Sequence, residues 1–147
     1  MMSLSEIRAR DLRKLAYHEA GHLVVLDHFG VGGSIEIWDV YEPGLDYMRE
    51  NTWQGTTRFY GRPKAPGAMK LVGLAGVIAE YLVDDPEQYL DELAVDMNME
   101  EGSESDRKNA GDYVDADIDA AATLLRSRWQ DVVQIAECEI AKWGTDQ

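Results

Sequence analysis

The chain has 147 residues, 45% of them hydrophobic, and sets 28 acidic side chains against 14 basic ones for a formal net charge of −14. That length and apolar content suffice for one hydrophobic core, so a single domain spanning residues 1–147 is expected. The acidity excludes nucleic acid as a partner, because a phosphate backbone would meet a repulsive field, and it would repel acidic substrates too.

The first ten residues carry Glu6, Arg8 and Arg10 and no apolar core segment, so they do not read as a secretory signal. Ser3 and Glu6 have capping-box spacing, and the helix behind them is predicted to run until Gly30, Gly32 and Gly33 stop it. Leu12, Leu15, Ala16, Leu23 and Leu26 recur at three- and four-residue intervals, as a half-buried helix requires. Ser34 to Tyr41 alternates apolar and polar residues and reads as a strand. Thr52 to Tyr60, rich in β-branched and aromatic types, is expected to pair with it. Arg62-Pro63 and Pro66-Gly67 mark the next break.

Ala68 to Val83 reads as a second, buried helix in which Gly73 and Gly76 offer a thin face for close packing. Its segment Leu71 to Ala79 is the longest nearly apolar run, far short of the ~20 residues a membrane span needs, so no membrane partner is expected. Pro86 is predicted to open a short acidic helix that fades near Met99. A polar segment, Glu100 to Ser105, leads into a third long helical region from about Asp106, breaking near Ser127 before a last helix that ends at Gly144. The order is helix, small sheet of two or three strands, then a helical C-terminal half: an α+β fold, mostly helical. The one cysteine, Cys138, excludes an intrachain disulfide and a four-thiolate zinc site, fits a reducing cytoplasm, and is read as a small buried hydrophobe.

Within the first helix stands His18-Glu19-Ala20-Gly21-His22. Residues four apart lie about 40° apart on one helix face and one turn apart along the axis, so the two imidazoles can converge on one ion. Glu19 points beside that ion, where a carboxylate can take a proton from an attacking water and return it to the leaving amine. Gly21 removes a side chain and lets another element approach. His28 lies about 9 Å further along the axis than His22 and about 120° round, so it reads as a surface or packing histidine.

A catalytic zinc takes three protein ligands and leaves a fourth place to water. No third histidine suits, so a carboxylate is required. Two stand out by context: Glu80, a charge inside an apolar helix, and Asp106, at a helix start after a small-residue turn. Chemistry alone leaves both open, beside the plain readings of a solvated Glu80 and a merely N-terminal Asp106.

At this point the chain resembles a known family. Ala16-Tyr17-His18-Glu19-Ala20-Gly21-His22 followed by Val24-Val25 is similar to the AYHEAGHAVV helix of the FtsH-type ATP-dependent zinc proteases. Leu74 to Glu80 resembles their small-residue helix ending in Ala-Glu-Glu, and Glu101 to Asp106 with Ala110 resembles their TGASNDxxxA segment. The resemblance spans roughly residues 16–110. It implies that Asp106 is the third zinc ligand and that Glu80 supports the site from behind a ligand. Tyr81 stands where the second Glu of Ala-Glu-Glu would be, and Glu101 and Ser105 replace Thr and Asn around the ligand. The family's ATPase module and membrane anchors are missing from these residues, so a stand-alone peptidase domain is expected.

The resulting expectation is a zinc metalloendopeptidase that uses Zn2+ on His18, His22 and Asp106 with Glu19 as general base, acting on a protein or peptide substrate. In related zinc proteases the substrate adds as a strand along a sheet edge, here that of the Ser34–Tyr41 and Thr52–Tyr60 pair. Trp38, Tyr41, Trp53, Phe59 and Tyr60 could line that groove, though core packing is the commoner use of such aromatics. The resemblance also implies a homo-oligomer and allows a separate ATPase partner. Three alternatives stand beside it: a non-proteolytic zinc-binding regulatory or assembly domain, a small HExxH peptidase of the repressor-cleaving type, and a helical interaction protein without metal.

Overall fold

Ser3 starts the first helix as its spacing predicts. Its hydroxyl accepts the Glu6 amide at 3.2 Å, and the Glu6 carboxylate accepts the Ser3 amide at 3.2 Å, which satisfies two of the donors that a helix start leaves bare. The computed structural model describes residues 2–144; Met1 and residues 145–147, the two ends of the expected domain, lie outside the described residues.

Helix α1 spans Leu4–His28, ends at Phe29, and turns at Gly30 in the left-handed region with φ of 79°. Strands β1 (Gly33–Asp39) and β2 (Trp53–Phe59) pair antiparallel, Ile35 opposite Thr57, in a two-stranded sheet. The Val40 amide donates to Thr52 and the Tyr60 amide to Gly32, extending the pairing just past both ends. The sheet lies on α1, where Leu15 Cδ1 stands 3.3 Å from the point a side chain at Gly55 would occupy.

Helix α2 (Ala68–Leu82) buries ten of its fifteen residues and runs antiparallel to α1. The approach is close because Gly21 has no side chain: a Cβ there would stand 2.7 Å from the Ala75 carbonyl oxygen and 2.8 Å from Ala79 Cβ. Four more helices follow, α3 (Glu92–Glu101), α4 (Glu104–Ala110), α5 (Asp115–Ser127) and α6 (Trp129–Gly144). Leu26, Leu74, Ile78, Leu82, Ile118, Leu125 and Val132 are fully buried and join α1, α2, α5 and α6 in one apolar cluster, each such side chain stabilising the fold by about 1.5–3 kcal/mol. The α+β, mostly helical architecture agrees with the sequence reading.

Three local expectations are corrected. Pro86 does not open a helix: it sits in a turn closed by the Gln88 amide on Asp85, and α3 begins only where the Asp91 carboxylate accepts the Leu93 and Ala94 amides. The long region from Asp106 is two helices, because Gly111 ends α4 in the left-handed region with φ of 56°. Cys138 is exposed, since it lies about 200° round α6 from buried Ala136. Among the described residues no helix is long and apolar enough to cross a membrane.

Candidate metal centre

The two histidines of α1 face α2 and α4. Their Nε2 atoms are 3.2 Å apart, and the Asp106 carboxylate spans both, with Oδ2 at 2.9 Å from His18 Nε2 and Oδ1 at 3.1 Å from His22 Nε2. Each ring is held from behind. His18 Nδ1–H donates to Glu80 Oε2 at 2.6 Å, and His22 Nδ1–H donates to the Val72 carbonyl at 2.6 Å. A carbonyl oxygen can only accept, so His22 carries a proton on Nδ1, and in the neutral ring the Nε2 lone pair then turns inward. Glu80 Oε2 accepts from His18 Nδ1 in the same way. With both rings neutral, two lone pairs and a carboxylate meet with no proton among them, an arrangement that repels itself unless a cation joins it.

In the chain alone a proton can take that part. Burial pulls the His18 pKa down, but the hydrogen bonds to Asp106 and Glu80 and the charges of Glu80 and Glu19 outweigh it and push His18 up to about 10. Burial likewise pushes Asp106 up, and the charge of His22 with the hydrogen bonds from both rings holds it well below the usual carboxylate range.

Glycines keep the place open. A Cβ on Gly76 would stand 2.4 Å from His18 Nε2 and 2.6 Å from His22 Nε2, so any larger residue would fill the space beside the two nitrogens. A Cβ on Gly73 would stand 2.4 Å from the Ala110 amide and 2.8 Å from the Asp106 carbonyl, so this second gap seats α4 on α2. The Ser103 hydroxyl caps α4 by accepting the Asp106 amide at 3.1 Å, which fixes where its carboxylate emerges.

Glu19 is only 6% exposed, and Thr57 Oγ1 of β2 donates to its Oε1 at 2.8 Å. His18, Glu19 and His22 together could hold a metal ion, since their ligand atoms all lie within 4.8 Å of one another. The Asp106 carboxylate lies nearer to both imidazoles than that limit, while Glu19 already has a partner in Thr57. His28 is exposed, packs its ring edge-on against Phe29 and takes no part in the group. No family model and no curated protein matches this chain.

The group forms one wall of an open cleft of about 1120 Å³, which β2 borders opposite α4. Of the aromatics, Trp53 is 7% exposed, with its ring N–H donated to the Arg8 carbonyl; it serves mainly to pack the α1–β2 contact. Trp38 and Phe59 also line the cleft, and Tyr41 and Tyr60 do not.

Sequence reasoning missed Thr57, because Thr56-Thr57 in a strand carries no mark of which residue faces α1. It also missed Arg62 and Lys108 on the cleft wall, which lie in a loop and on a short helix with no periodic signal.

Proposed function

We propose that this chain is a zinc-dependent metallopeptidase in which His18, His22 and Asp106 hold Zn2+ and Glu19 is the general base. The reading is carried by one juxtaposition: an inward-facing His–His–Asp donor set stands beside a separate carboxylate, Glu19, on the wall of an open cleft of about 1120 Å³. Two imidazoles and one carboxylate suit zinc and fall one short of a closed tetrahedron, as hydrolytic sites do. The resemblance of the Ala16–His22, Leu74–Glu80 and Glu101–Asp106 blocks to the FtsH-type proteases supports the same ligand set.

When bound, zinc supplies Lewis acidity toward a peptide carbonyl and lowers the pKa of water. The chain's own groups do the rest. Glu80 and the Val72 carbonyl orient the imidazoles and keep their Nε2 lone pairs directed inward. Glu19 accepts a proton from the attacking water and passes it to the leaving amine nitrogen, so that bond cleavage releases a neutral amine. Thr57 fixes the Glu19 carboxylate by its hydroxyl. The lone cysteine, exposed on α6, suits a reducing compartment such as the cytoplasm.

A second reading, a non-proteolytic zinc-binding regulatory or assembly domain, is favoured by the near-complete burial of Glu19. Metal analysis with a peptide-cleavage assay separates the two. The peptidase reading expects one zinc per chain, cleavage by the wild type, and an E19Q variant that keeps zinc and loses hydrolysis. Full zinc loading without cleavage would establish the second reading, and full activity in E19Q would remove Glu19 from the mechanism.

A further inference from the structure

Arg62 and Lys108 both line the cleft, and neither makes an ion pair or a hydrogen bond among the described residues. In a chain with 28 acids and 14 bases this is unusual. Among the described residues Lys64, two residues after Arg62, is the one other Lys or Arg without such a partner; Arg8, Arg13, Arg58 and Arg128, for example, each hold a carboxylate, and Lys70 and Arg126 hold backbone carbonyls.

Both unpaired cations line the cleft, and chain order sets each of them near the N-terminal end of α2. Arg62 precedes α2 by six residues. Lys108 is two residues before Ala110, whose backbone packs against Gly73 near the start of α2, and Lys70 donates to the Asp112 carbonyl in the same region. Val72, which holds His22, lines the cleft there too. The opposite end, where Glu80 meets His18, carries Asp11 and Lys14, each with a partner of its own. Of the cleft carboxylates Glu80 and Asp106 are engaged by histidines, Glu19 by Thr57 and Asp11 by Arg10, leaving Glu101 without a partner among the described residues. Among the described residues the cleft that holds the two imidazoles therefore carries two unpartnered cations against one unpartnered anion.

We infer that Arg62 and Lys108 form a subsite for a carboxylate side chain, so that the substrates are peptides bearing Asp or Glu a short, fixed distance from the bond cut. The inference rests on the peptidase reading and names its substrate class. A guanidinium fork and a flexible ammonium together can grip a carboxylate whose own backbone is held elsewhere in the cleft. The chain's net charge of −14 repels acidic polypeptides at long range, but charges beyond about 8 Å are screened at physiological salt, so the two nearest cations decide at contact.

The test is cut-site mapping by mass spectrometry, with the zinc-loaded protein acting on a peptide library made by digesting denatured protein. The expected result is an enrichment of Asp and Glu of about fivefold at one fixed position from the cut. The enrichment should vanish in the Arg62→Ala/Lys108→Ala double variant and turn into a preference for Lys and Arg in Arg62→Glu/Lys108→Glu. Cleavage by the wild type without acidic enrichment, or an enrichment unchanged in both double variants, overturns the subsite while leaving the peptidase reading in place. No cleavage with zinc fully loaded overturns both.

Discussion

Thr57 on β2 donates its hydroxyl to the Glu19 carboxylate on α1 at 2.8 Å, so the strand bordering the cleft also holds the carboxylate that stands beside the two imidazoles. Thr57 thereby becomes a positioning residue for the proposed base. Thr57→Val keeps the shape and removes the hydrogen bond. The expected outcome is a fall in kcat of about tenfold with little change in KM, because a bond to a charged group contributes roughly 1.5–3 kcal/mol. Zinc content should not change, and Thr57→Ser should restore most of the rate. Equal losses in kcat and zinc would show that Thr57 only braces the fold.

Glu80 reaches the proposed metal site only through His18. Glu80→Gln should therefore weaken zinc binding by about ten- to a hundredfold without abolishing it, whereas Asp106→Ala should cost more. Competition against a chelating dye measures both. Equal affinities for E80Q and the wild type would leave Glu80 without a role at the metal.

Gly73 seats the helix that carries Asp106. Gly73→Ala places a methyl group against the Ala110 amide and the Asp106 carbonyl, backbone atoms that cannot swing aside as a flexible side chain can. It should destabilise the fold by about 1–3 kcal/mol in urea unfolding and also reduce zinc affinity, because α4 must shift. A stability loss with unchanged zinc affinity would show that Asp106 does not depend on this seat.

Zinc that binds the folded chain alone must stabilise it. At a free concentration about a hundred times Kd the gain is about 2.7 kcal/mol, which for a chain of this size raises Tm by about 5–10 °C. Calorimetry before and after chelation reads the shift, and His22→Ala should show none.

Tyr113 and Tyr17 make stability fall in alkali. Burial, then a hydrogen bond to Asp96, pushes the Tyr113 phenol up to about 12. Burial, then a hydrogen bond to Glu137, does the same to Tyr17 against the opposing pull of Arg13. A pKa raised on folding means the neutral phenol is favoured in the native state. That stability is complete below the unfolded value of about 10 and is lost as pH rises through about 12. Tyr113→Phe should flatten the part of the slope due to the contact between α3 and the segment after α4 and leave the Tyr17 part; an unchanged pH profile would contradict the assignment.

Much of the fold was legible because it is local. The Ser3–Glu6 box and Gly30 mark the ends of α1, and the apolar run from Leu71 to Ala79 marks the body of α2. Where the reading failed, a neighbour's hydrogen bonds had the final word: Asp91 caps α3 and moves its start away from Pro86, and Gly111 cuts what looked like one helix into α4 and α5. Cys138 was misread because an amphipathic stretch shows that a buried face exists, while its side was set by Val132 and Ala136 packing inward.

The centre divides the same way. The four-residue spacing of His18 and His22 follows from helix geometry, so the sequence by itself determined that two imidazoles share a face with a carboxylate next to one of them. Only the tertiary structure decided what meets them. Asp106 arrives from 88 residues away and Glu80 from 62, through the contacts that Gly73, Gly76 and Gly21 permit by lacking a side chain. Helix periodicity acts over a few residues, whereas the approach of α2 and α4 is a property of packed surfaces. The Nδ1 hydrogen bonds that turn both Nε2 atoms inward follow from that packing, since Glu80 and the Val72 carbonyl become partners only once α2 lies against α1.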